Sequence, residues 1–100
     1  MTVNVQSINF NADQKLVDFI QKRMDKLDLF YDKIIQAEVY LKVENTREKE
    51  NKIVEIKLNV PGDSFVVKKQ CKSFEEGTDV VGSAIERQLK KHKQKQRMYI

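Results

Sequence analysis

One hundred residues make a single domain with one modest core, and a 40% hydrophobic share is ordinary for a folded chain. No apolar run approaches the roughly 20 residues of a membrane span, and no basic-then-apolar leader stands at the N-terminus. The single cysteine, Cys71, excludes an internal disulfide and a multi-cysteine metal site, so a cytoplasmic protein is expected. The net charge of +4 is unevenly spread: residues 1–83 carry 13 Lys/Arg against 14 Asp/Glu (−1), and residues 84–100 carry 6 against 1 (+5). A cationic end of this kind points to a polyanionic partner, either nucleic acid or a membrane surface.

Val3, Val5 and Ser7 alternate with Asn4, Gln6 and Ile8, which predicts a first strand. Asn11 and Asp13 can each cap a helix, and Asp13 fits better. Leu16, Phe19, Ile20, Met24 and Leu27 then follow at mostly three- and four-residue spacing, with Arg23 at the edge of the stripe. Lys15, Lys22 and Lys26 lie on the other side, and Asp18 is spaced to pair with Lys22. Leu29, Phe30, Tyr31, Ile34 and Ile35 form an apolar connection. Val39, Leu41 and Val43 predict a second strand.

Residues 45–51 read as a charged turn, and Val54, Ile56, Leu58 and Val60 as the cleanest strand in the chain. Pro61-Gly62-Asp63 is a turn. Phe65, Val67 and Cys71 mark one face of a last strand. Lys69 falls on that same face, which requires either a sheet edge or a different register. A second helix is expected from Phe74 or Glu75, with Glu75 and Glu76 at the positive end of its dipole. Thr78, Val81, Ala84, Ile85, Gln88, Leu89 and His92 share its broad inner face. Ser83, Arg87, Lys90, Lys91 and Gln94 share the outer one. The order β-α-β-β-β-α predicts an α+β two-layer sandwich, two helices on one face of a four-stranded sheet.

Catalysis finds little support. The one histidine, His92, lies among lysines and reads as a packing or helix-end residue rather than a ligand. Cys71 reads as a small core residue rather than a nucleophile. The three glycines are isolated, so no phosphate loop is formed. The strong feature is the basic helix. Arg87, Lys90 and Lys91 form a patch that Lys93, Lys95 and Arg97 extend. One reading is a solubilising helix end that suits the dipole. The other is a phosphate-binding surface, which supplies affinity without sequence information. A membrane-surface helix fits less well, because this helix needs its apolar face for the sheet. With Lys22, Arg23 and Lys26 on the first helix, two basic groups can flank one groove. Double-stranded-RNA-binding domains have a similar two-helix outline.

The sequence resembles the ribosome hibernation promoting factor family over roughly residues 3–96. That family includes the ribosome-associated inhibitor and the sigma-54 modulation proteins. Asp13-Gln14-Lys15-Leu16 is similar to its Thr-x-x-Leu helix opening, and Arg23-Met24-Asp25-Lys26-Leu27 to its basic-x-x-Lys-Leu stretch. Ala37-Glu38-Val39-Tyr40-Leu41-Lys42-Val43 matches its Ala/Val-x-Val-x-Leu-x-Val strand. The most specific match is Glu86-Arg87-Gln88-Leu89-Lys90-Lys91-His92-Lys93, against Arg-Gln-Leu-x-Lys-His/Tyr-Lys. The second helix departs from the family opening Asp-x-Tyr-Ala-Ala-Ile-Asp: here it is Ser73-Phe74-Glu75-Glu76-Gly77-Thr78-Asp79, with Phe74 placing an aromatic ring one position early.

The resemblance implies a non-enzymatic protein that binds the small ribosomal subunit in the channel of mRNA and the A- and P-site tRNAs. Such a protein occludes translation and preserves idle ribosomes in stress and stationary phase. It also implies rRNA contacts from Lys22, Arg23, Lys26, Arg87, Lys90, Lys91 and Lys93. The expected unit is one domain, residues 1–96, with a short tail, 97–100, as in short-form members that lack the dimerising domain. It is expected to be a monomer without cofactor, metal, membrane or small-molecule substrate. A regulatory double-stranded-RNA binder acting away from the ribosome is the chief alternative, and a module holding an acidic protein partner is a third.

Overall fold

The computed structural model describes residues 1–44, 47 and 49–98, the last three of these by backbone alone. The elements are β1 (Thr2–Ile8), α1 (Gln14–Asp25), a 3-10 turn (Lys26–Leu29), β2 (Gln36–Val43), β3 (Lys52–Val60), β4 (Asp63–Cys71) and α2 (Phe74–Met98). They form one sheet of order β1-β2-β3-β4. β1 runs parallel to β2, with Val3 beside Ala37 and Val5 beside Val39. Parallel neighbours need a crossover, and α1 supplies it. β2–β3 and β3–β4 are antiparallel. The second hairpin turns on Pro61 and Gly62, with Val60 opposite Asp63. Gly62 takes φ +79°, the left-handed value that a type II turn requires after proline.

The period-2 pattern places alternate residues of each strand under the helices. Ala37, Val39 and Leu41 pair in register with Leu58, Ile56 and Val54. These side chains are fully buried, as are Ile20, Met24 and Leu27 from the first helical segment and Val81 and Ile85 from α2. Lys69 does lie on the helix side, opposite Val54, but β4 is the edge strand and the lysine is exposed. The edge, not a register shift, explains the break in the pattern.

Both helices begin as the sequence predicts. Leu16 N donates to Asp13 Oδ1 at 2.8 Å, and Glu76 N donates to Ser73 Oγ at 3.1 Å. Phe74 stacks on Phe10 with centroids 5.0 Å apart, tying the start of α2 to the segment after β1. A Cβ on Gly77 would lie 2.7 Å from Val54 Cγ2, so only glycine lets α2 sit this close to β3. One expectation differs in detail: Asp18 accepts Gln14 Nε2 at 2.9 Å instead of pairing with Lys22. α2 runs to Met98. Asn45, Thr46 and Glu48 of the charged turn, and Tyr99 and Ile100 of the expected tail, lie outside the described residues.

Candidate nucleic-acid interface

The contacts between α1 and α2 fix their direction. Arg23 meets Asp79 and Glu86, Lys90 Nζ lies over the Phe30 ring, and Tyr31 meets His92 edge-on. Residues later in the first segment touch residues later in α2, so the helices run side by side in the same sense. Their C-terminal ends share one end of the molecule. His92 also lies 3.7 Å from Asp63 at the start of β4. The basic part of α2 therefore sits at the Pro61–Gly62 turn, and the strand ends Val43, Lys52 and Cys71 sit at the other end.

The helix length sharpens this. From Phe74 to His92 the helix rises about 27 Å. β4, its neighbour in the sheet, spans about 26 Å between Cys71 and Asp63. Beyond His92 the helix projects past the sheet, carrying Lys93 and Lys95 with it.

Six of the seven cations assigned to rRNA have exposed side chains: Lys22, Lys26, Arg87, Lys90, Lys91 and Lys93. Lys90 has its contact with Phe30 at 5.3 Å, and none of the six is in an ion pair with a described residue. Around α2 the basic residues form two strips: Lys90 and Lys93, beside the acid Glu86, lie on the side of α1, and Lys91, joined by Lys95, flanks β4. Arg87 stands on the crest, with Lys90 and Lys91 about 60° and about 40° to either side.

Arg23 is the exception. Expected beside Lys22 and Lys26 as a phosphate contact, it is only 8% exposed. Nε lies 3.3 Å from Asp79 Oδ1, and Nη1 lies 2.8 Å from Glu86 Oε1, in ion-pair range but outside hydrogen-bond alignment. Nη2 donates to Ser83 Oγ at 3.4 Å. The guanidinium lies flat on Gly82, where a Cβ would come within 2.8 Å of Cζ. Arg23 thus forms the floor between the helices, and its charge is already balanced by α2. The groove is basic on its flanks and neutralised at its centre.

Two kinds of residue escaped the sequence reading. Asp79 and Glu86 hold Arg23. The signal was present for Glu86, the one acid among the last 17 residues. Phe30 supports Lys90 from a segment read only as an apolar connection. His92 packs edge-on between Tyr31 and Phe65, with centroids 5.5 and 5.6 Å away. Among the described residues, no three His, Cys, Asp or Glu side chains gather as a metal ion would require, and no helix is long and apolar enough to cross a membrane.

Comparison with known proteins adds the family. A ribosome hibernation promoting factor of Pseudomonas putida is 31% identical over 96 residues, covering 96% of this chain and 90% of that protein. A ribosomal subunit interface protein from Coxiella burnetii superimposes with a TM-score of 0.82 at 18% identity, over 93% of this chain and 98% of that one. The N-terminal domain of Protein Y from Thermus thermophilus gives a TM-score of 0.80 at 20% identity, over 92% and 99%. The two structures establish the shared fold. The family described as Sigma 54 modulation protein / S30EA ribosomal protein matches residues 3–97, and the chain belongs to it.

Proposed function

We propose that this chain is a cytoplasmic ribosome hibernation factor, active in stress and stationary phase. It binds the small ribosomal subunit as a monomer in the channel for mRNA and the A- and P-site tRNAs. It acts by occupancy and not by catalysis. The carrying observation is the set of exposed cations at the shared C-terminal end of two parallel helices, free of ion pairs with the described residues. Lysines already paired to acids would bring little to a phosphate. These six can each take one and release its counterions. Lys22 and Lys26 reach rRNA from α1, and Arg87, Lys90, Lys91 and Lys93 from α2. Arg23 sets the distance between the two groups and does not touch phosphate. A folded domain seated where mRNA and tRNA must pass blocks initiation sterically and keeps the idle subunit intact.

The test is sedimentation of ribosomes from resting cells through a sucrose cushion. The expected result is co-sedimentation with the small subunit and loss of the protein from the pellet when mRNA and initiator tRNA are supplied in excess. A protein that binds structured RNA in isolation but stays in the supernatant would be a regulatory RNA binder acting elsewhere.

A further inference from the structure

The outer flank of α2 carries an open pocket of which the phosphate-binding reading uses only Lys91. Its volume is about 200 Å³, and Asp63, Phe65, Gln88, Lys91, His92 and Lys95 line it. That is more room than a single ion or water molecule needs. The lining also differs from the rest of the basic surface. Phe65 and His92 meet edge-on at one corner of the pocket, with centroids 5.6 Å apart and planes at 76°. Lys91 and Lys95, one helical turn apart, stand on the rim.

Asp63 is the telling member. A site for phosphate alone gains nothing from a carboxylate, which repels the anion. Asp63 Oδ1 accepts the Ser64 N–H at 2.8 Å, and Oδ2 lies 3.7 Å from His92 Nδ1, beyond hydrogen-bond length. Oδ2 can therefore accept another donor, and Gln88 adds an amide with both donor and acceptor capacity. Two aromatic rings, a carboxylate acceptor, an amide and two lysines lining one pocket match one ligand chemistry: a nucleobase with its own backbone phosphate. Unpaired bases of RNA are held this way, stacked on aromatic rings and hydrogen-bonded along an edge.

We propose that this corner receives one unstacked base of single-stranded RNA, with Lys91 and Lys95 on the flanking phosphate. The proposal rests on the rRNA-binding reading and adds to it a contact that senses a base as well as charge. It makes Phe65 and Asp63 recognition residues, although neither carries positive charge.

The test uses the full chain and short single-stranded oligoribonucleotides at fixed salt. Each is paired with an oligonucleotide of equal charge that has an abasic central position. The intact oligonucleotide is expected to bind about tenfold more tightly than its abasic partner, the change expected for one stacked base. Phe65→Leu, which keeps the apolar packing but removes the ring, should collapse that ratio toward one, with circular dichroism confirming the fold. Asp63→Ala should split the pair: the abasic oligonucleotide binds more tightly because a repelling charge is gone, and the intact one loses its advantage. Equal binding of intact and abasic partners, or an unchanged ratio in Phe65→Leu, overturns the base site. Either can occur while the wild type still pellets with small subunits, in which case the ribosome reading stands. A free mononucleotide binding as tightly as the oligonucleotide also overturns it, because the site would then serve a small ligand.

Discussion

At the scale of single residues, Arg23 carries a charge that the structure sets against two acids of α2. Its neighbours Lys22 and Lys26 suggest a phosphate contact, but its position belongs to the inner stripe of α1. Its partners lie some 60 residues further on, where no spacing rule connects them. Arg23→Ala should lower stability by about 2 kcal/mol in urea unfolding. Most of that comes from the buried stem and the Glu86 contact, because Asp79 is 61% exposed and its share is screened. Gly82→Ala supplies a sharper check. Alanine ordinarily gains about 1 kcal/mol over glycine inside a helix. Here its Cβ would strike the guanidinium, so the gain should vanish or reverse. In the Arg23→Ala background it should return, and additive single effects in that cycle would remove the clamp from the account. Cys71 tests the opposite property, inertness. Burial first, then the nearby Glu76 carboxylate, raise its thiol above the ordinary range. The folded chain therefore holds this proton longer than the unfolded one. The contribution is intact below the unfolded thiol's pKa and is lost as pH rises through the folded one. Cys71→Ala should cost about 1–2 kcal/mol near neutral pH, flatten that alkaline decline and leave ribosome binding near wild type. A folded variant that no longer inhibits translation would implicate the thiol in function.

At the scale of elements, the order β-α-β-β-β-α is legible because strand and helix periods are strong wherever one face is buried. Leu58 and Val60 on β3, and Val81 and Ile85 on α2, leave no choice of face. What could not be read is pairing. Nothing within residues 2–8 states that β1 lies parallel to β2, since that follows from the crossover through α1. For the same reason the common direction of the helices, which brings Lys26 and Lys90 to one end, required the structure. The candidate site was thus visible as residue types and half visible as a surface. The consequence is testable on α2. Reversing Arg87, Lys90 and Lys91 to Glu leaves Val81, Ile85 and Leu89 untouched, so the circular dichroism spectrum should remain native-like. Small-subunit binding and inhibition of cell-free translation should be lost, because three attractions become repulsions. Glu reversal of Lys42, Lys49 and Lys52 changes the same charge at the far end of the sheet, and should keep most of the inhibition. Equal impairment of the two variants would mean that binding follows net charge and not this surface.

At the scale of the whole molecule, charge and shape act together. Two helix C-termini at one end concentrate the negative ends of two dipoles there, and lysines near those ends offset them. The same lysines lack acid partners among the described residues, so they remain available to an outside anion. The sheet contributes no comparable charge: Glu38 faces Lys57 and Glu55 faces Lys68 across neighbouring strands, balanced pairs on its open side. The affinity for RNA should therefore come from a few phosphates bound at one end, and its salt dependence should count them. If about five phosphates are neutralised on single-strand-like RNA, the slope of log K against log salt is about −3.5. Binding then weakens about 100-fold between about 50 and about 200 mM salt. With magnesium held constant, the triple reversal on α2 should flatten the slope by about 2, one step of about 0.7 for each phosphate that is no longer neutralised. The Lys42, Lys49 and Lys52 reversal should leave the slope near that of the wild type. A wild-type slope near zero would show that the exposed cations do not meet phosphate at all, and the proposed occlusion of the channel would lose its physical basis.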